Sequence, residues 1–97
     1  MPEIEVSRAD VEQFLSRFHV RVADDANATE HDVTLSRPDH ERLAGRYPTP
    51  EAFVRACFAF LLEREPKESI LRSFDISQIA TYFPEFETQI LRPTPPA

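Results

Sequence analysis

A chain of 97 residues with a 41% hydrophobic share can build one modest core and has no room for two. Its single glycine counts against a glycine-rich phosphate loop, and its formal net charge of −6 counts against nucleic acid or an anionic membrane as partner. The lone cysteine, Cys57, allows no intramolecular disulfide, and the longest apolar run, Ala56–Leu62, is far short of the ~20 residues of a membrane helix.

Met1–Asp10 carries Glu3, Glu5 and Arg8 where a secretory leader would be apolar, so the expected setting is reducing and cytoplasmic. Met1–Val6 reads as an extended lead-in. Ser7 followed by Asp10 resembles a capping box, and Val11, Phe14, Leu15 and Phe18 recur at i, i+3, i+4, i+7, which predicts a first helix. The period then becomes two. Phe18, Val20 and Val22 alternate with His19 and Arg21, and Val33 and Leu35 alternate with Asp32 and Thr34. A β-hairpin follows, looped through Ala23–Glu30, with one apolar face toward the helices and one wet face.

Ser36 is a good N-cap, with Pro38 in the first turn and Asp39 as box partner, so a short helix should run to about Ala44. Gly45 fits a left-handed C-cap. Thr49-Pro50-Glu51 is the best helix start in the chain: a cap, a first-turn proline and an acid facing the helix dipole. The helix it opens, Thr49–Glu65, is the expected central strut. Between Ala52 and Leu62 only Arg55 is polar. Phe53, Ala56, Cys57, Phe60 and Leu61 form one stripe; Val54, Phe58 and Leu62 form another, turned well away. A helix apolar nearly all round is buried nearly all round, by its own fold or by a second copy.

Pro66 would clash with the carbonyl of Leu62 and ends the helix near Arg64–Glu65. Ile70, Leu71 and Phe74 suggest a further short helix. Asp75 or Ser73 can cap another, with Ile76, Ile79, Ala80 and Phe83 in register until Pro84 breaks it and opens a last turn with Phe86, Ile90 and Leu91. The tail Arg92–Ala97 reads as disordered and polyproline-like, leaving 1–91 as a single domain. The expected fold is α+β, mainly α: a two-stranded β-hairpin packed against about five short helices.

The segment Glu63–Glu87 (EREPKESILRSFDISQIATYFPEFE) resembles the C-terminal part of a family of small uncharacterised bacterial proteins, and the similarity extends back through VTLS and PEAFVRACFAFLL. The resemblance implies a bacterial origin and a shared fold. It implies no activity and no functional residue.

Each constellation that could carry chemistry has a plainer reading. The order strand (Val33-Thr34-Leu35), helix from Ser36, helix from Thr49 resembles a ribbon–helix–helix DNA binder. Its first helix is several residues short, however, and Asp32 and Glu51 stand where phosphate would approach. Phe74-Asp75-Ile76-Ser77 echoes a helix-turn-helix turn, but Asp75 replaces the turn glycine. The loop Asp24–Glu30 has oxygen ligands at alternate positions from Asp25, yet Glu30 sits where a calcium loop needs Gly and Ser36 where it needs Glu. His19, His31 and His40 lack metal-ligand spacing. Cys57, among Ala56, Phe58 and Phe60, reads as a core residue and not a nucleophile. The pairs Glu63/Glu65, Glu85/Glu87 and Asp24/Asp25 show no apolar pocket that would split their pKa values.

No catalytic, cofactor or metal residue is therefore assigned. The expected function is a small protein-interaction module or accessory subunit, homodimeric or bound to another protein. Its interface or core would be Phe53, Val54, Cys57, Phe58, Phe60, Leu61 and Leu62, with Phe53, Phe58 and Phe60 as anchors. The alternatives are a ribbon–helix–helix-like DNA-binding regulator and, behind it, a small metal-binding protein.

Overall fold

The computed structural model describes residues 2–12 and 14–91. Three antiparallel strands come first: β1 (Glu3–Val11), β2 (Leu15–Ala23) and β3 (Ala28–Ser36). Helix α1 (Arg37–Leu43), a 3-10 turn (Ala44–Arg46), helix α2 (Pro50–Leu62) and a second 3-10 turn (Lys67–Ser69) then lead to β4 (Ser73–Asp75). Strand β4 lies parallel to β3, giving one mixed sheet in the order β1-β2-β3-β4. Two short helices close the described chain, α3 (Ser77–Tyr82) and α4 (Phe86–Ile90).

Period-two patterning decides which face of the sheet meets the helices. Phe18, Val20 and Val22 of β2, Val33 and Leu35 of β3 and Phe74 of β4 are buried. Arg17, Arg21, Glu30 and Asp32 point to water on the other face. In β1 the register slips between Arg8 and Asp10, so Ala9 is the extra residue of a bulge. Arg8, opposite the buried Phe18, stays on the helix side and its Nη2 donates to Glu51 Oε1 of α2 at 2.8 Å. The extra residue returns Asp10 to the wet face, opposite Arg17.

Two expected helices are strands. Over Ser7–Phe18 the chain completes β1, turns and enters β2. Phe14 lies in that turn, 65% exposed, so it shares no buried stripe with Phe18. Without β1, one edge of β2 would present a row of unpaired backbone groups; the hairpin satisfies them. Ile70, Leu71 and Phe74 likewise form no helix. The edge of β3 captures this segment: Asp32 N donates to Arg72 O and Ile76 N to Thr34 O, at either end of the β4 pairing. The chain is α+β, but with a four-stranded mixed sheet, four α-helices and two 3-10 turns among the described residues, not a two-stranded hairpin with about five helices. The loop between β2 and β3 is also shorter than expected, since Ala28–Glu30 already belongs to β3. Gly45 takes no left-handed conformation; it lies within the first 3-10 turn. The tail 92–97 lies outside the described residues.

Helix α2 begins where its cap dictates: Thr49 Oγ1 accepts the Ala52 amide at 3.0 Å, with Pro50 in first place. Both of its stripes are covered by the chain itself. Phe58 meets the sheet side, its ring 5.3 Å from His31 and 5.8 Å from Phe74. Phe60 meets the C-terminal helices edge-on, 5.9 Å from Phe83 and 5.1 Å from Phe86. Phe53, Val54, Cys57 and Leu61 are buried as well, and Leu62 is half-buried. From the sequence, a homodimer or another protein partner is expected to cover a stripe of this helix left over by its own fold; of the two stripes only Ala56 and Leu62 are half-buried and the rest are buried.

Candidate functional site

The helix layer is incomplete at one place. Past Leu62 the chain makes one more turn, with Glu65 N donating to Leu61 O at 2.9 Å, and Pro66 stops it. Helix α3 starts from a reciprocal cap: Asp75 Oδ2 accepts the Ser77 amide at 3.0 Å, and Asp75 N donates to Gln78 Oε1 at 2.8 Å. Asp75 Oδ1 also accepts the Thr34 hydroxyl at 2.5 Å, which ties this cap to β3. Between the end of α2 and α3 lies a half-open groove of about 390 Å³. Its floor is Leu61, Ile70, Phe74 and Ile79, all buried. Its rim carries Leu71 and Tyr82, 48% and 64% exposed.

Glu65 is the groove's charged group. Its carboxylate makes no hydrogen bond or ion pair among the described residues, and burial raises its pKa above the ordinary glutamate value. The neighbouring Arg64 is committed elsewhere: Nε donates to Glu85 Oε2 at 3.1 Å, Nη1 donates to Phe60 O at 3.1 Å, and the guanidinium lies 3.6 Å from the Phe60 ring centroid. Gln78 gives its carbonyl oxygen to Asp75 N, which leaves its amide nitrogen as the donor end.

Two other polar clusters are internally satisfied. Lys67 is 6% exposed, and its Nζ donates to Asp24 Oδ2 and Glu68 Oε2, both at 2.7 Å. Asp24 also accepts the amides of Ala26 and Asn27, so this carboxylate, one residue before the Asp25 that would open the candidate calcium loop, is spent on its own backbone and on a lysine. The Lys67 hydrogen bond, then those amides, lower the Asp24 pKa to about 2. Beside this cluster His31 is buried: Nδ1 donates to Leu71 O at 2.7 Å, since a carbonyl only accepts, and Nε2 accepts from Thr29 Oγ1 at 2.8 Å. On the wet face of the sheet, His19 Nδ1 donates to Asp32 Oδ1 at 3.0 Å and Nε2 to Glu30 Oε1 at 2.8 Å.

The three histidines do not converge. His19 is on the wet face, His31 is under the helices and His40 is exposed on α1. No three His, Cys, Asp or Glu side chains gather as a metal site among the described residues. Cys57 is fully enclosed, and burial pushes its thiol well above the ordinary cysteine pKa. The ribbon strand Val33–Leu35 is paired with β2 on one side and meets β4 on the other, so it offers no free edge to a second copy. Phe74 belongs to a strand, so no helix precedes Asp75 to make a helix-turn-helix.

Compared with protein-family models, with curated proteins and with solved structures, the chain matches none. Of the residues singled out from the sequence as interface or core, only Leu61 lines the groove. Its defining residues, Glu65, Leu71 and Tyr82, carried no such assignment. With the expected helix over Ile70–Phe74 replaced by extended chain, the adjacent apolar pair Ile70 and Leu71 points to opposite sides. Ile70 takes the core side and Leu71 the groove side.

Proposed function

We propose that this chain is a protein-interaction module that docks a segment of another protein in the groove between the end of α2 and α3. One observation carries the reading. Of the three large hydrophobic residues that are well exposed among the described residues, two, Leu71 and Tyr82, stand on this one groove above a buried apolar floor. Scattered exposed apolar residues need no explanation, whereas convergent ones over a cleft mark a binding surface. The accessory-subunit reading belongs to the same proposal. A reducing, cytoplasmic setting belongs to the same proposal and is supported only by Cys57 being a free thiol.

The test is affinity capture from an extract of the source organism, with three baits: wild type, Leu71→Asp and Tyr82→Ser. Both substitutions are at exposed positions and should leave the fold intact. A stoichiometric protein held by wild type and lost from both variants is the expected result. A partner held equally by all three would refute the groove as the docking surface.

A further inference from the structure

Among the described residues, charged side chains that this fold takes partly out of water are matched with one exception. Glu51 receives Arg8, and Asp39 and Glu87 share Arg42. Arg64 has Glu85; Lys67 has Asp24 and Glu68; Asp75 has Thr34 and Ser77. His19 sits between Glu30 and Asp32. Glu65 is half-buried at the groove and has no partner among the described residues. A carboxylate losing water without gaining a donor is unfavourable, and an arriving cation relieves that cost.

We infer, building on the docking reading above, that the groove's occupant is a short apolar segment of a partner protein carrying a basic side chain that pairs with Glu65. Three features agree. The floor of Leu61, Ile70, Phe74 and Ile79 takes the apolar part. The volume, about 390 Å³, is near the lower end of the roughly 300–1,000 Å³ of ligand clefts, which suits one or two side chains and not a folded element. The chain's net charge of −6 favours encounter with a basic partner over an acidic one. The fold already contains the same pairing in miniature, in Arg64 lying on Phe60 while bound to Glu85. Glu65 with Tyr82 at the rim offers an incoming arginine a comparable carboxylate and ring.

The probes are acetylated, amidated peptides containing Leu, Phe and one variable residue X, with X placed before, between or after the apolar pair. X is arginine or its neutral isostere citrulline. Binding is followed by amide chemical shifts of the full chain at millimolar peptide. The arginine form should shift Ile70, Leu71 and Tyr82 and bind about tenfold tighter than the citrulline form, the scale of one charge-assisted hydrogen bond. In Glu65→Gln that preference should shrink to under about threefold, with the same residues still shifting. Glu65→Gln should also melt no lower than wild type, because it removes an unpaired carboxylate. Equal binding of both forms at the groove overturns this inference and leaves the docking reading standing. Absence of groove shifts with every peptide overturns it too, and the capture experiment then decides the docking reading alone. Groove shifts that appear with protein concentration and no peptide would assign the surface to a second copy, and a clear drop in the melting of Glu65→Gln would show that Glu65 is already paired; either result overturns the inference.

Discussion

Phe58 separates a core reading of α2 from an interface reading by direct measurement. Its side chain is 0% exposed and lies between His31 and Phe74, on the stripe that faces the sheet. Phe58→Ala removes most of a ring from a closed site, which costs about 3–5 kcal/mol. A domain of 97 residues has about 5–15 kcal/mol to lose, and near this size 1 kcal/mol moves the melting temperature by roughly 4–8 °C. Phe58→Ala should therefore fold but melt roughly 12–40 °C lower. Phe58→Leu keeps an apolar side chain and should cost about 1 kcal/mol. Phe58→Asp would place a carboxylate beside His31, whose two ring nitrogens are already bonded, and should not fold. Urea unfolding followed by circular dichroism, with size-exclusion on each variant, reads all three. A well-folded Phe58→Asp with a changed oligomeric state would refute the core assignment, as would a Phe58→Ala that loses under 1 kcal/mol.

Three further outcomes are expected. His19 has its pKa raised above 6.5 by the Asp32 hydrogen bond and then by Glu30, so its contribution to stability is complete below pH 6.5 and lost as pH rises through the folded-state value. Urea midpoints should accordingly fall between pH 6 and pH 8 by an amount that His19→Gln removes, and parallel profiles would sink the reading. Lys67→Gln should lift the Asp24 carboxyl from about 2 toward 3.8, as read by carboxyl carbon shifts. The stability from that pair is present above pH 3.8 and lost as pH falls through about 2; an Asp24 still titrating near 2 in the variant would mean that the Ala26 and Asn27 amides hold it unaided. Thr49→Ala should destabilise by about 1 kcal/mol through loss of the α2 cap, with Thr49→Ser restoring most of it; equal unfolding of the Ala variant and wild type would remove the cap from the account.

The parts of this fold legible in the sequence are those whose signal is local. The alternation Phe18-Val20-Val22 and the Thr49-Pro50 start define β2 and α2 without help from the rest of the chain. Strands β1 and β4 are not local in this sense. Only Ile4 and Val6 mark the inward face of β1 before the bulge at Ala9 shifts its period. In the sequence Val11, Phe14 and Phe18 stand at helical spacing, so two strands and a turn imitate a helix. Strand β4 is three residues long and exists because the edge of β3 is there to receive it; nothing in Ser73-Phe74-Asp75 itself demands a strand. The groove is less legible still, because Glu65, Leu71 and Tyr82 come from three segments, and nothing in the sequence brings Leu71 and Tyr82 together.

One position did carry a readable signal. Cys57, Leu61 and Glu65 are spaced by four, and the Glu65 amide still bonds to Leu61 O, so Glu65 occupies the next place on a stripe whose two earlier members are buried. Only Pro66 keeps the helix from going further. A helix serving the core alone would place leucine there, as at Leu61. Glu65→Leu should then gain stability. Half-burial of a leucine side chain contributes about 1 kcal/mol, and the desolvated carboxylate goes with the substitution, so the melting temperature should rise by roughly 4–8 °C. The same variant should bind arginine and citrulline peptides alike. A Glu65→Leu protein that melts below wild type would mean that the carboxylate stabilises the free chain, and the groove would lose its one unmet charge.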